Sequence, residues 1–419
     1  MGWSVQKSRE LYEESLKYVP GGVQSSRRPD LFFDEFPIFL ERAKGAHIWD
    51  VDGNEYIDWM LSYGPIILGH CNEEVDRAVI EETKKGFLFN LTPPVQLELA
   101  KKITQLIPCA EMVQFVTSGS GATSAAVRIA RAYSGKIKVL RWGYHGWHDW
   151  SVGGGPGVPK STTENTLSFD YNNLDSLEKL LNKHKGEVAC IIMMPLGVEQ
   201  PRKGFLEGVR ELADRHGVIL IFDEIRSWPR MSLGGAQKYY GVIPDITTIS
   251  KGIANGYPIS AVVGRREFMR LAETTNISGS YFMNNLAFRA AMVTLREIET
   301  KNVVPRLWEI GKQLLDGLSQ IIERKKIRAG VLGVPPMPFL VFGDPADHMT
   351  VWQELIWNKG DPGTEKDKRA MKVFYNEMAK RGVFMHPRHH WYSCFAHTNE
   401  DVQKTLEAAE ASFDLAQKA

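Results

Sequence analysis

The chain has 419 residues, 43% of them hydrophobic and 24% charged. That is the composition of a globular protein with room for two or three structural units around at least one large core. Lys and Arg number 51 against 50 Asp and Glu, a formal net charge of +1, so no basic excess argues for nucleic acid as a partner and no like-charged block argues for a tail. No apolar run approaches the ~20 residues that span a bilayer, and the N-terminus lacks the apolar core of a signal peptide. The four cysteines form no C-x-x-C pair, so the expected setting is a reducing cytoplasm.

In chain order, AHIWDVDGNEYIDWM (46–60) predicts an antiparallel hairpin with VDGN at its turn. MVQFVTS (112–118) predicts a short strand, and ATSAAVRIARAYSG (122–135) an amphipathic helix closed by Gly135. Strands follow at 138–142, 188–195, 218–224, 245–251 and 261–265, with helices at 176–186 and 204–217 between them. Strands apolar on both faces that alternate with helices imply a mostly parallel sheet covered by helices. Ligands of such sheets bind outside the carboxyl ends of the strands. From about residue 303 the pattern turns to long polar helices and short strands such as 338–343, and the turn-rich segment 357–369 reads as an exposed loop. The expected organisation is an N-terminal segment, 1–75, that joins residues 303–419 in a small α+β domain, around a large α/β domain over 76–302.

Four pieces carry chemistry. In VTSGSGATSAAVRIAR (116–131) a strand ends, Ser118–Gly119–Ser120–Gly121 turn, and a helix begins. Free backbone N–H groups and the positive end of a helix dipole then face one point, which suits a phosphate, although many such turns hold Gly and Ser for turn geometry alone. In VILIFDEIRSW (218–228) Asp223 ends a continuous apolar strand, either as a structural ion pair or as a carboxylate aimed at a protonated ring nitrogen. WGYHGWHDW (142–150) crowds Trp142, Tyr144, His145, Trp147 and Trp150 into one loop, a core cluster or a stacking platform. Lys251, in ITTISKGIANGYP (246–258), is either a surface lysine closing a strand or an amine held in a pocket. Together these supply an anion cradle, a carboxylate, a stacking ring and an amine, the set that pyridoxal 5′-phosphate (PLP) requires.

At this point the chain resembles the class III aminotransferases of PLP fold type I, nearest their glutamate-1-semialdehyde aminomutase branch. The resemblance runs from VPGGVQSS (19–26) through DVDGNEYIDW, GPIILGH, LIFDE and LGGAQKYYGVIPDITTISKGIANGYP to FAHTNEDVQKTLEAAE (395–410). It implies a large domain with a mostly parallel, seven-stranded-type sheet, plus a small α+β domain from both chain ends. It further implies that Lys251 forms the Schiff base and acts as the proton shuttle, and that Asp223 partners the pyridine nitrogen. Gly119 and Ser120 match the phosphate-binding turn, with Ser118 and Gly121 beside them as further cofactor-binding candidates. Tyr144 and Ile225 match the residues on the two faces of the ring, and His145 stands beside them. Ser280, in ISGSYFMNNLAFRAA (277–291), matches the hydroxyl residue that reaches the partner subunit's phosphate, which implies a homodimer.

The branch pattern is not followed everywhere. An acidic residue is replaced by Gly121, a Glu before proline by Met194, and an acid-bearing C-terminal stretch by HPRHHWYSCF (386–395). A diamine-handling aminomutase is therefore disfavoured. Arg28 falls where the branch places an arginine for the substrate carboxylate, and Arg226 and Arg388 are further candidates. Tyr63 replaces an aromatic at the pocket mouth, and His389, His390 and Trp391 are expected to line the same pocket rather than hold a metal. The expected activity is transfer of an amino group between a carboxylate-bearing donor, with aromatic and β-amino acids among the candidates, and a keto acid by a ping-pong mechanism. The alternatives are an aminomutase or racemase on the same cofactor and a non-catalytic protein that retains the fold. Intact Lys251 and Asp223 argue against the last.

Overall fold

The computed structural model describes residues 3–24, 38–349 and 363–419, and the chain divides into two compact units, residues 73–304 and residues 1–72 with 305–419. Among the described residues no helix is long and apolar enough to cross a membrane.

The unit 73–304 is built on a seven-stranded sheet. In spatial order its strands are Met112–Val116, Ser260–Gly264, Ile246–Ile249, Ile219–Asp223, Val188–Met193, Lys138–Trp142 and Thr166–Ser168. Ser260–Gly264 alone runs against its neighbours, so the mostly parallel sheet expected from the sequence is present. The central strands carry almost only buried apolar side chains, as strands covered on both faces must. Alternate residues feed opposite layers. Ile192, Ile221 and Ile246 pack with Ala122, Ala126 and Ile129 of the helix Gly119–Ser134. Leu220 and Phe222 pack with Leu206, Val209 and Leu212 of the helix Phe205–His216 on the other face. Alanines on the first helix let its backbone lie close to the sheet, and Gly135 ends it in the left-handed conformation (φ +67°), as its sequence implied. The chain therefore delivers Ser118, Tyr144, Asp223 and Lys251 to the carboxyl edge of one sheet.

In the other unit Leu40–Lys44, His47–Asp50 and Glu55–Asp58 form an antiparallel meander. The expected hairpin over 46–60 is its second half, with Gly53 at φ +91° in the turn. The two-residue strand Val383–Phe384 adds in parallel to Glu55–Asp58. Helix Val303–Lys325 buries Leu307, Ile310, Leu314, Leu318 and Ile321 along one stripe. The last four, within the residues of this unit, join Trp59, Phe342, Phe374, Trp391 and Phe413 in its core or flank it. The reading of 357–369 as an exposed loop is corrected in part. Residues 357–362 lie outside the described residues, but helix Glu365–Lys380 begins within that stretch. Thr364 accepts from the Asp367 N–H (3.2 Å) and donates its own N–H to the Asp367 carboxylate (2.9 Å), a capping box worth about 1 kcal/mol.

A titratable clamp ties the meander to helix Asn399–Ala416. His47 Nε2 meets Asp401 Oδ1 at 3.0 Å and its Nδ1 meets Glu55 Oε1 at 2.8 Å. The hydrogen bond to Asp401, opposed by burial and helped by the Asp401 and Glu55 charges, raises the His47 imidazole above its ordinary 6.5. Burial pushes the Asp401 carboxyl up, but hydrogen bonds from His47 and Thr398 outweigh it and hold the carboxyl at about 2, against an ordinary 3.8. A raised histidine stabilises fully below its unfolded value and loses that contribution as pH rises through its folded one. A depressed carboxylate stabilises above its unfolded value and loses that contribution as pH falls through its folded one. His47→Gln is therefore expected to lower the urea midpoint most between pH 3.8 and 6.5, and progressively less above 6.5. A midpoint difference that does not shrink on the alkaline side contradicts the clamp.

Candidate active site

At the first strand end, Ser118 caps helix Gly119–Ser134 and its Oγ accepts from the Gly121 N–H (3.1 Å). Sixteen residues of helix stand behind this turn, so its dipole and free N–H groups favour an anion there. The aromatic loop is pinned against the same turn. Thr123 Oγ1 donates to the His145 carbonyl (2.6 Å) and Trp147 N–H donates to Ser120 Oγ (3.3 Å), while Ser151 Oγ donates within the loop region itself, to the Gly146 carbonyl (3.0 Å). Gly146 lies at φ +109°, and a Cβ there would stand 2.3 Å from Ser120 Oγ. Only glycine permits that approach.

Asp223 is buried, with its Oδ2 2.7 Å from His145 Nδ1. Its Oδ1 accepts from Thr248 Oγ1 (3.2 Å) and from the Ile225 N–H (3.2 Å). His145 Nε2 is 3.1 Å from the Trp142 carbonyl, which can only accept, so Nε2 carries a hydrogen. His145 Nδ1 is the third polar partner of the carboxylate. Every protein-side demand of the buried carboxylate is thus met, and its orientation is fixed. His145 supports Asp223 from behind and is itself buried.

Lys251 follows the strand Ile246–Ile249 and opens a short 3₁₀ turn at φ +44°. A left-handed backbone at a residue with a Cβ costs roughly 1–2 kcal/mol and concentrates at functional sites. Directly before it, Ser260 Oγ donates to Ser250 Oγ (2.7 Å), which ties the lysine turn to the antiparallel strand. Asp223 and Thr248 are register partners, so Lys251 leaves its strand beside the end that carries Asp223. Tyr144 is half-exposed and Ile225 half-buried. The Ile225 Cδ1 lies 3.0 Å from where a Cβ on Gly119 would be, so Ile225 packs over the first residue of the anion turn. Arg226 follows, half-buried. Ser280 is exposed at the start of the turn Ser280–Met283.

The remaining candidates belong to the other unit. Tyr63 ends a left-handed run, Leu61, Ser62 and Tyr63 at φ +47°, +56° and +67°. Asp58 holds that run by accepting from the Met60 and Leu61 N–H groups at 2.8 and 2.9 Å. The Tyr63 ring meets His389 and His386 edge-on at 5.0 and 5.9 Å. His390 is buried, with Nδ1 donating to the Met337 carbonyl (3.1 Å) and its ring against Phe339, while Arg388 is half-buried. Arg28 lies outside the described residues. Among the described residues no group of three or more His, Cys, Asp and Glu could hold a metal ion.

Residues 33–337 match the family model for aminotransferase class III. The chain belongs to the class III aminotransferases. This class III enzyme is 42% identical over 415 residues to the 3-aminobutyryl-CoA aminotransferase of Cloacimonas acidaminovorans, across 97% of this chain and 96% of that protein. It is 36% identical over 438 residues to the glutamate-1-semialdehyde 2,1-aminomutase of Methanocaldococcus jannaschii, across 99% of each. Its fold matches the PLP internal aldimine form of the Sphingopyxis sp. MTA144 FumI protein with a TM-score of 0.89 at 28% identity, over 99% of this chain and 97% of that one. The fold is PLP-dependent fold type I and the cofactor of the class is PLP. The residues fit that group, because a glycine-lined anion turn, an oriented carboxylate and a lysine stand at one sheet edge.

Sequence reasoning missed the groups that hold these residues in place. Thr248 lies within ITTISKGIANGYP, but its place beside Asp223, like the tie of Ser260 to Ser250, appears only when strands are paired. His145→Leu removes the donor to Asp223 Oδ2 and is expected to destabilise the cofactor-free protein by about 1–3 kcal/mol. Urea denaturation measures it, and a loss under about 0.5 kcal/mol would mean the pair holds nothing.

Proposed function

We propose that this class III enzyme is a transaminase that moves an amino group from a β-amino donor, a carboxylate or its thioester, to a keto acid by a ping-pong mechanism. The observation that carries the reading is the pairing of Asp223 and Lys251 on neighbouring strand ends, tied by the Asp223–Thr248 register. The β-amino class is supported by the relative named for 3-aminobutyryl-CoA and by the absence of an acid from residues 386–395.

Bound PLP supplies an aldehyde carbon and a ring that accepts electrons. Lys251 would be the covalent anchor of that group, and its amine, once free, would serve as the general base at the substrate carbon. Asp223, oriented by His145, Thr248 and the Ile225 N–H, would hold a proton on the ring nitrogen. Ser118, Gly119, Ser120 and Gly121 would hold the phosphate, and Tyr144 and Ile225 are the candidates to flank the ring. Arg28, Arg226 and Arg388 are the candidates for a donor carboxylate, with Tyr63 and His390 as candidate substrate residues. The working form is a homodimer in which Ser280 reaches the phosphate site of a second copy. In support, Leu91, Phe87 and Tyr281 expose large apolar side chains on the segments that flank it, and Phe89 N–H donates to the Met283 carbonyl.

The aminomutase relative at 36% identity supports a second reading, isomerisation on the same cofactor. A donor panel separates the two. Transamination requires a keto acceptor for continued turnover, whereas catalytic turnover of a single amine with no acceptor would establish the isomerase. Lys251→Ala is expected to lower the rate about a thousandfold or more, and wild-type transamination by that variant would contradict the assignment.

A further inference from the structure

We propose that Glu224 is a positioning residue of this enzyme: its carboxylate ties the loop after Asp223 to the first turn of the helix Gly235–Tyr240 and so fixes Ile225 between Asp223 and Gly119. The inference rests on the reading of Asp223 as the partner of the cofactor's ring nitrogen.

Adjacent residues of a strand point to opposite faces. Asp223 shares its face with Thr248 and His145, and Glu224 faces the other way. Glu224 is 0% exposed, and a carboxylate buried so completely requires several donors. It has four. Its Oε1 accepts from the Gln237 N–H (3.2 Å) and from Gln237 Nε2 (3.0 Å). Its Oε2 accepts from Ser227 Oγ (3.0 Å) and from the Ala236 N–H. Burial pushes the carboxyl up from its ordinary range, against the pull of those donors. Gly235 completes the fit, at φ +79° and with a Cβ that would stand 2.5 Å from Oε2. Gln237 carries the tie onward, its Oε1 accepting from the Cys109 N–H (3.0 Å) and its Nε2 donating also to Thr247 Oγ1 (3.0 Å).

The consequence falls on Ile225, the next residue. Its N–H donates to Asp223 Oδ1, and its side chain fills the space over Gly119. A shift of Glu224 therefore reaches the carboxylate and the anion turn through one residue. A helix cap with no such role would affect stability alone.

Glu224→Gln keeps the shape but leaves an amide N–H₂ facing two donors. Gly235→Ala keeps the charge but displaces it. Gly241→Ala is the control, because Gly241 closes the same helix at φ +75° with nothing within 4 Å of its Cβ. Each holoenzyme is assayed for PLP dissociation, visible absorption of the bound cofactor, and kcat and KM for the amino donor. The expected result for Glu224→Gln and Gly235→Ala is a PLP dissociation constant raised about tenfold, the equivalent of one net hydrogen bond. A shifted absorption band and a lower kcat per bound cofactor at unchanged KM accompany it, with Gly241→Ala at wild type in all three. Folded Glu224→Gln and Gly235→Ala enzymes with wild-type absorption and wild-type kcat per bound cofactor overturn the proposal. A wild-type protein that shows no cofactor absorption after PLP is added overturns the reading of Asp223 and this inference with it.

Discussion

A carboxylate buried at the end of an apolar strand survives only where hydrogen bonds replace the water it has lost. Asp223 is such a group, and much of the unit 73–304 is arranged around its demands. His145 approaches it from the loop after Lys138–Trp142, Thr248 from the neighbouring strand, and the Ile225 N–H from its own chain. Each donor comes from a different element, so the carboxylate is oriented only when the parallel sheet is assembled. The same interaction draws the aromatic loop inward, and that loop is in turn pinned to the anion turn and its helix by Ser120 and Thr123. The candidate site groups are thus coupled through packing and hydrogen bonds within one unit, the condition under which a site keeps its geometry without a ligand to organise it.

Backbone conformation adds a second constraint. Gly146 permits an approach to Ser120 that any side chain would block, whereas Lys251 adopts a left-handed conformation despite its Cβ. The first is relieved by choice of residue. The second is held by surroundings, namely the buried Gly252 and Ile253 that follow and the Ser250–Ser260 hydroxyl pair. Left-handed conformations held by their surroundings at residues with a Cβ concentrate at functional sites.

Much of this was legible in the sequence, for physical reasons. Runs such as VACIIMMP and VILIFDE have too many consecutive apolar residues for a surface strand, and Gly135 marks a helix end directly. The four-part set for PLP could be assembled because parallel strands send their carboxyl ends to one edge. Register could not be read, since it depends on pairings between distant segments. Thr248 therefore stood unnoticed in ITTIS, and so did the tie from Glu224 to Gln237. The left-handed run at Leu61–Tyr63 has no local glycine until Gly64 to announce it. In the segment 357–369 the error was of another kind. The T-x-x-D capping signal of Thr364 and Asp367 was present, but the Gly, Pro and Asp residues before it outweighed it.

The central claim is that Lys251 is the covalent anchor of PLP. Borohydride treatment of the holoenzyme fixes the cofactor on whichever lysine holds it, and peptide mass spectrometry then locates the added mass. The account predicts the pyridoxyl group on Lys251 alone, within the peptide that contains ITTISKGIANGYP. Recovery of the group on a different lysine, or an unlabelled Lys251 peptide from enzyme that had bound PLP, would contradict it.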